Sequence, residues 1–552
     1  MNIAYLAVKL LAFKAMAFER STKDPVRAQK KILLEFLKRN RNTEYGRRYD
    51  FSSIRSIADY QNTVPVNDFE TFLPYLEKME KGEDRVLTVD KPIFFGATSG
   101  TTSRKKLIPV TGYSREKKAE VSTLWSYYIS RDHPRVLDGK VLAVISPEIE
   151  GYTGSGLPYG AESGFGYRNL PIAVKSLYAL PHQVFEIKDY DARYYCILRI
   201  GIEQNITTVA TLNPSTLVLL CKKIEIWKDK IIDDIERGSL NKEFDISENI
   251  RREIEAAFRP NPARAAVLKD ILKERGALLP KYFWPGLELI ECWKGGTVKI
   301  YLKELPQYFG DVPIRDFGCL STEARSSIPM SDEGAGGVLA INANFYEFIP
   351  REDMSKKDKR VFLCDELEKG REYLLVVTTP GGLYRYNIDD VIVVDGFFNK
   401  TPVIEFVQKG LNAVSLTGEK VYESQVNEAV NKALDAHKMI VELFSASVQW
   451  DHPPRYIFLV EFDGVPTLEE KKGFLKSIEE ELCRQNCEYS WIRQAQLLGS
   501  PLLKVVKSGE FERYRAKKIS EGAHDTQFKL PELSGDFTFQ DNFKVEENIS
   551  IE

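Results

Sequence analysis

Between Phe94 and Thr111 the chain reads Phe-Phe-Gly-Ala-Thr-Ser-Gly-Thr-Thr-Ser-Arg-Lys-Lys-Leu-Ile-Pro-Val-Thr. The apolar run Pro92-Ile93-Phe94-Phe95 suits a short strand entering a turn. Gly96 to Ser103 then supplies small residues and the hydroxyls of Thr98, Ser99, Thr101, Thr102 and Ser103, with Gly100 among them, ahead of the cations Arg104, Lys105 and Lys106. Close backbone N–H groups, short hydroxyls and cations are what a phosphate chain needs. The segment is not a Walker A loop, because Thr101 stands where that pattern requires Gly and no Gly-Lys-Ser/Thr follows. Alone, it reads first as a polar turn between two strands. Its weight comes from later segments.

Three of these carry further chemistry. Asp316 to Glu323 ends a strand-like run with Ser321, Thr322 and Glu323, a hydroxyl pair and a carboxylate. Glu323 suits holding Mg²⁺ or orienting a hydroxyl, and the same triplet also suits a simple helix start. Leu383-Tyr384-Arg385-Tyr386-Asn387-Ile388-Asp389-Asp390-Val391 sets an arginine between two aromatics, followed by adjacent carboxylates. A carboxylate at a strand end accepts two hydrogen bonds at once and so fits the two hydroxyls of a ribose; a strand-edge salt bridge is the plain alternative. Lys409-Gly410-Leu411-Asn412 is a polar break after the apolar run Val403 to Val407, and it fits a hinge.

The elements that must position these groups alternate between helices and apolar strands. Asp24-Pro25 signals a helix start, and Asp68 opens another helix. Glu116 to Tyr128 reads as a helix, and Val141 to Ser146 and Thr207 to Leu212 as buried strands. Ser215 is the expected cap of a helix from Thr216 to Lys223, ahead of a charged helical region from Trp227 to Arg275. Strands resume near Leu287–Ile290, Gly337–Ile341 and Tyr373–Thr379. The glycine-dense stretch 151–166 fails the dinucleotide fingerprint, since Tyr159 and Asn169 fall where the third glycine belongs; it is expected to be a loop. After the break come a helix, Glu423 to His437, and a compact pattern of strands and helices to Ser520. The tail beyond Leu533 has no readable structure. An α/β class follows, with a large body and a small second domain of roughly a hundred residues.

Composition narrows the function. A chain of 552 residues exceeds one core. Net charge is −3 with both signs interspersed, which leaves no footprint for nucleic acid. Seven scattered cysteines point to a reduced, cytoplasmic protein, and the five histidines have no metal-ligand spacing. The apolar start, Met1 to Phe18, is broken by Lys9 and Lys14, so an amphipathic helix docked on the protein's own core is expected, with no transmembrane span.

In this order the clusters closely resemble the Gretchen Hagen (auxin-responsive promoter) family of acyl-acid amido synthetases, within the adenylate-forming ligase superfamily. The resemblance is carried by Asn42 to Gly46, Val64-Pro65-Val66, Thr98 to Thr102, Phe345 to Pro350, Thr378 to Tyr386 with Asp390-Val391 and Gly396 to Lys400, and Gln527 to Pro531. It implies a large domain, residues 1–405, with a β-barrel-like part, a hinge at 406–420, and a small mobile domain at 421–552. It implies MgATP, a small carboxylic acid and an amine, usually an amino acid's, and a monomer is expected. Thr98, Ser99, Gly100, Thr101, Thr102 and Lys106 would cradle the β- and γ-phosphates. Thr322 would meet the α-phosphate, Glu323 Mg²⁺, and Asp390 the ribose, with Tyr386 and Lys409 in the same nucleotide set. Lys529, or Lys420 beside the hinge, would approach the α-phosphate.

Three departures stand out: Asp389 where the family usually has Gly, Lys409 where Arg is common, and Ser103 in place of a loop Gly. Two alternatives therefore remain open from sequence. One is an adenylating ligase with a thiol acceptor such as coenzyme A; the other is a non-catalytic nucleotide- or acid-binding relative.

Overall fold

The structure is a computed structural model describing residues 3–98, 106–295, 299–353, 356, 359–410, 413–439, 441–520 and 530–551. It divides into two compact units, one of Met1–Ala97 with Leu107–Val407 and a second of Gln408–Glu552 together with Thr98 and Lys106.

The larger unit holds three sheets. One has the order β2 (Lys106–Thr111), β1 (Pro92–Thr98), β5 (Pro158–Gly160), β4 (Gly151–Tyr152). The stretch 151–166 is thus not the expected open loop: it supplies two strands of this sheet and then the helix Glu162–Arg168. The second sheet is parallel throughout, in the order β3 (Lys140–Ala143), β6 (Ile206–Ala210), β7 (Leu289–Glu291), β8 (Ile314–Arg315). Its strands are short and mostly buried, and carry Thr207, Thr208, Glu291 and Arg315 among apolar residues. Helix Pro214–Arg237 follows β6 and runs well past the expected Lys223. Its cap is Asn213, whose side chain accepts from Ser215 N at 2.9 Å, with Pro214 opening the first turn. Sequence reading placed the cap two residues late because Ser and Asn are near-equal capping residues.

The third sheet has the order β11 (Phe345–Pro350), β12 (Glu372–Thr378), β13 (Tyr386–Phe398), β14 (Thr401–Lys409), β10 (Gly337–Leu339), β9 (Ser327–Ile328). Here the expected barrel-like part is corrected. The order ends at β11 and β9, and no pairing among the described residues closes the sheet. The unit's main core lies against this sheet and includes Phe36, Tyr45, Phe72, Tyr346 and Tyr384. Helix Ile3–Ser21 docks on that core through Ala15 and Phe18, while Phe13 stays 70% exposed. Among the described residues no helix is long and apolar enough to cross a membrane.

The smaller unit pairs β15 (Ala413–Val414) with β16 (Val421–Tyr422). It also has a four-stranded sheet in the order β17 (Val441–Gln449), β18 (Arg455–Phe462), β19 (Leu502–Val506), β20 (Val545–Ser550). Helices Glu423–His437 and Leu468–Gln485 bury Val426, Val430, Phe474 and Ile478 in this unit's core. The tail that the sequence left unread ends as β20, antiparallel to β19.

Candidate functional site

The strands before and after the hydroxyl-rich loop can be followed, while Ser99, Gly100, Thr101 and Thr102 lie outside the described residues. Thr98 closes β1, and Lys106 opens β2, half-buried. Two residues before Thr98, Gly96 is pressed against another site segment. A Cβ built on Gly96 would stand 2.4 Å from Thr322 Cγ2, closer than atoms pack, so only glycine permits this approach.

Ser321-Thr322-Glu323 does not begin a helix. It is a bend, closed by Ser321 N donating to Ala324 O at 2.9 Å and Ala324 N to Ser321 Oγ at 3.2 Å, with Leu320 and Arg325 paired across it. The bend is held by two residues that sequence reading did not single out. Lys118 Nζ, on helix Gly112–Asp132, donates to Thr322 O at 2.6 Å and pairs with both oxygens of Glu162 at 2.7 Å. Glu162 opens the helix after the glycine-dense stretch, and nothing in its local pattern announced this role. Thr322 and Glu323 are both half-buried, so their side chains are reachable.

Asp390 is carried by β13. Between Leu374 and Val376 of β12 the partner numbers jump from Val391 to Asn387, which marks a β-bulge at Ile388–Asp390. Bulges re-aim side chains and recur beside active sites. Asp389 sits in this bulge at φ +61, in the left-handed region, with its N–H donating to Asn387 Oδ1 at 2.9 Å. This gives the departure at Asp389 a physical reading: the position demands a left-handed residue, which Gly meets freely and Asp tolerates. Asp390 itself is buried and lies close enough to Cys319 to push that thiol up, together with Asp316, Glu405 and, above all, burial. Gly96 of β1 thus meets the Thr322–Glu323 bend, and Asp390 acts on Cys319, which precedes Thr322 by three residues in the chain.

Tyr386 is placed differently. It is 2% exposed, its ring edge-on to Phe72 at 5.9 Å, inside the main core. The preceding Arg385 forms a buried two-pronged pair with Glu347, Nε to Oε2 and Nη2 to Oε1 at 2.9 Å each, and Arg385 Nη1 donates to Gln61 O at 2.9 Å and Val64 O at 2.6 Å. Asn67 N donates to Arg385 O and Asn387 N to Asn67 O, both at 2.8 Å. Three motif segments, around Val64, Glu347 and Arg385, are thereby one interlocked structural knot.

Lys409 is the last residue of β14 and is buried. In the smaller unit Lys420 is half-buried, and its carbonyl accepts from Asn486 Nδ2 at 2.6 Å. The preceding Glu419 is fully buried and accepts from Leu416 N (2.8 Å), Thr417 N (2.9 Å), Thr417 Oγ1 (2.7 Å) and Tyr456 OH (2.7 Å). Burial still raises its carboxyl above the usual range against those bonds. Lys529 lies outside the described residues.

At the carboxyl ends of the parallel sheet, Glu291 is buried, and its carboxyl is pushed up to about 7 by that burial, with Arg325 and Arg315 opposing. Burial brings Arg325 down to about 10, with Glu291 opposing. The Arg325 guanidinium lies 4.9 Å from the Trp125 ring centroid, and Trp125 stacks on Phe317 at 5.0 Å. Among the described residues no three His, Cys, Asp or Glu side chains form a metal cluster. Mg²⁺ commonly binds through one or two carboxylates plus substrate phosphates, so the half-buried Glu323 fits an ion that arrives with its nucleotide.

Fold and site together define a mixed α/β protein with a Thr-Glu bend and a bulge-borne aspartate. Its fold is similar to that of the solved GH3.15 acyl acid amido synthetase, with a TM-score of 0.64 at 23% identity over 97% of this chain and 96% of that one. The GH3 family N-terminal domain matches residues 14–314, the GH3 family central domain residues 337–409, and the GH3 family C-terminal domain residues 424–536. The chain belongs to the GH3 family. Among its relatives are jasmonoyl–L-amino acid synthetase JAR4 of Nicotiana attenuata, 26% identical over 94% of this chain and 92% of that one, and indole-3-acetic acid-amido synthetase GH3.10 of Arabidopsis thaliana, 26% identical over 93% of each. By name, the first is a synthetase of a jasmonoyl–amino acid and the second an amido synthetase of indole-3-acetic acid.

Proposed function

We propose that this chain is an ATP-dependent acyl-acid amido synthetase. It adenylates a small carboxylic acid and transfers the acyl group to the amine of an amino acid. The observation that carries this reading is the approach of Gly96 to Thr322, which sets the start of the hydroxyl-rich loop against the Thr-Glu bend. Family membership, and relatives named as acid–amino acid ligases, support it.

In the first step a carboxylate oxygen attacks the α-phosphorus of ATP, and pyrophosphate leaves. In the second the amine attacks the acyl carbon, AMP leaves, and the surplus amine proton passes to solvent. Neither step needs a protein nucleophile. What is required is alignment and the neutralising of charge on phosphate oxygens. Thr98 to Thr102 and Lys106 would hold the β- and γ-phosphates, Thr322 the α-phosphate, and Asp390 the ribose, with Lys409 completing the nucleotide set, whereas the core position of Tyr386 removes it from that set. Lys118, through the Thr322 carbonyl, keeps the bend in place. Mg²⁺ held at Glu323 would supply Lewis-acid neutralisation of the phosphates. Lys420 or Lys529 would bring a cation to the α-phosphate as the domain at 421–552 turns about a hinge at 406–420. For Lys420, the four bonds received by Glu419 support a fixed presentation.

A monomer in the cytoplasm is the proposed setting, which agrees with the free thiols of all seven cysteines. The test is a pyrophosphate-release screen of acids against amino acids, with thiol acceptors in a parallel arm. Amide products with AMP release are expected; AMP release with thiols alone contradicts the amide reading.

A further inference from the structure

The carboxyl ends of β3, β6, β7 and β8 carry a cluster that the phosphate chemistry leaves unused. Ligand crevices in open α/β sheets lie beyond these ends. Strand register sets Ala143, Ala210, Glu291 and Arg315 abreast on one face. The row is buried: Ala143, Ala210 and Glu291 keep 6%, 7% and 9% exposure, and Arg315 none. Two small alanines, Ala143 and Ala210, stand in the row beside Glu291.

Polar groups around the row lack partners. Thr208 Oγ1, Arg315 Nη1 and Arg325 Nε are buried with no hydrogen bond among the described residues. No hydrogen bond or ion pair reaches the Glu291 carboxylate from another described residue. Buried donors and acceptors left unmade are costly, and each such group asks for a ligand or water. Charge restricts the choice. Arg315 is already answered by Asp132 at 2.8 Å and Asp332 at 2.6 Å, which leaves Arg325 and Glu291 as the remaining opposite pair. A neutral group suits that balance better than a second anion.

We infer that this crevice receives a hydroxyl group carried on the body of the acyl acid, donating to Glu291 and accepting from Arg325 Nε–H or Thr208 Oγ1. The chain therefore selects hydroxylated carboxylic acids. The inference rests on the ligase reading above and names the substrate class of that site. A hydroxyl both donates and accepts. An N–H would leave the arginine unmet, and a methyl would leave every member of the cluster unmet.

The test uses acids paired by a single hydroxyl: 4-hydroxyphenylacetate with phenylacetate, and 12-hydroxydodecanoate with dodecanoate. Acid-dependent pyrophosphate release is measured with each. Sites built to bond a substrate hydroxyl strongly reject the analogue lacking it, so the hydroxylated member of at least one pair is expected to lead by about a hundredfold in kcat/KM. Glu291→Leu and Thr208→Val should each collapse that ratio, with thermal melts confirming the fold; if a variant does not fold, the wild-type ratio decides. Ratios near one in both pairs mean that ordered water alone fills the cluster, which overturns the inference and leaves the ligase reading intact. Pyrophosphate from no acid at all overturns both.

Discussion

Gly96 and Thr322 are separated by the space of a single methyl group. A Cβ on Gly96 would fall 2.4 Å from Thr322 Cγ2, so the strand entering the hydroxyl-rich loop and the bend bearing Glu323 touch because one side chain is missing. Gly96→Ala is expected to push these segments apart by a fraction of an ångström and to lower kcat/KM for acid activation by about 10- to 100-fold. Pyrophosphate release and a thermal melt check this together. Wild-type activity in a folded variant would remove the contact from any role.

The left-handed backbone at Asp389 makes a separate forecast. Asp389→Gly should stay within about 1 kcal/mol of wild type in urea unfolding. Asp389→Val, β-branched at φ +61, should cost about 1–2 kcal/mol more. Equal stability of the two variants would mean that the bulge does not hold the residue there.

The buried Arg385–Glu347 pair should behave as a unit. Glu347→Ala strands a guanidinium and is expected to cost about 3–5 kcal/mol, whereas the double change Arg385→Met with Glu347→Leu should recover much of that. A double-mutant cycle in urea reads the coupling. An additive cycle would contradict it.

Glu291 gives a pH-dependent stability. Its carboxyl is raised to about 7 in the folded chain by burial, with Arg325 and Arg315 opposing and Tyr178 facing it. An acid whose folded pKa lies above its unfolded value binds its proton more tightly in the native state. Stability is therefore lost as pH rises from the ordinary carboxylate range through 7. Glu291→Gln should be more stable than wild type at pH 8, by on the order of 2–3 kcal/mol, and nearly equal to it at pH 4.5. A difference that does not change with pH would refute the assignment.

Much of this was legible in the sequence, for reasons that differ by residue. The strands now seen as β6, β7, β12 and β19 are short and mostly apolar, which pattern reading finds, and Asp24-Pro25 is a capping signal that the structure keeps. Local patterns failed where tertiary contacts decide. Glu162 lies inside the stretch 151–166, whose glycines suggested a loop, although backbone pairing across β4 and β5 orders it. Ser321 to Glu323 has helix-start residue types, but the pairing of Leu320 with Arg325 bends it. The final strand, β20, has the weak pattern Val-Glu-Glu-Asn-Ile-Ser and is specified by its partner β19 rather than by itself. Arg385 was visible as an arginine between tyrosines, yet its partner Glu347 is 38 residues away and no spacing rule joins them.

The most direct test of the account is acid-dependent exchange of labelled pyrophosphate into ATP, which reports the first half-reaction without an amine, run on wild type and on Asp390→Ala. The account predicts exchange in the wild type only when a carboxylic acid is present, and a loss of at least about 10²-fold in a folded Asp390→Ala chain. Exchange undiminished by that substitution, or none with any acid, would contradict it.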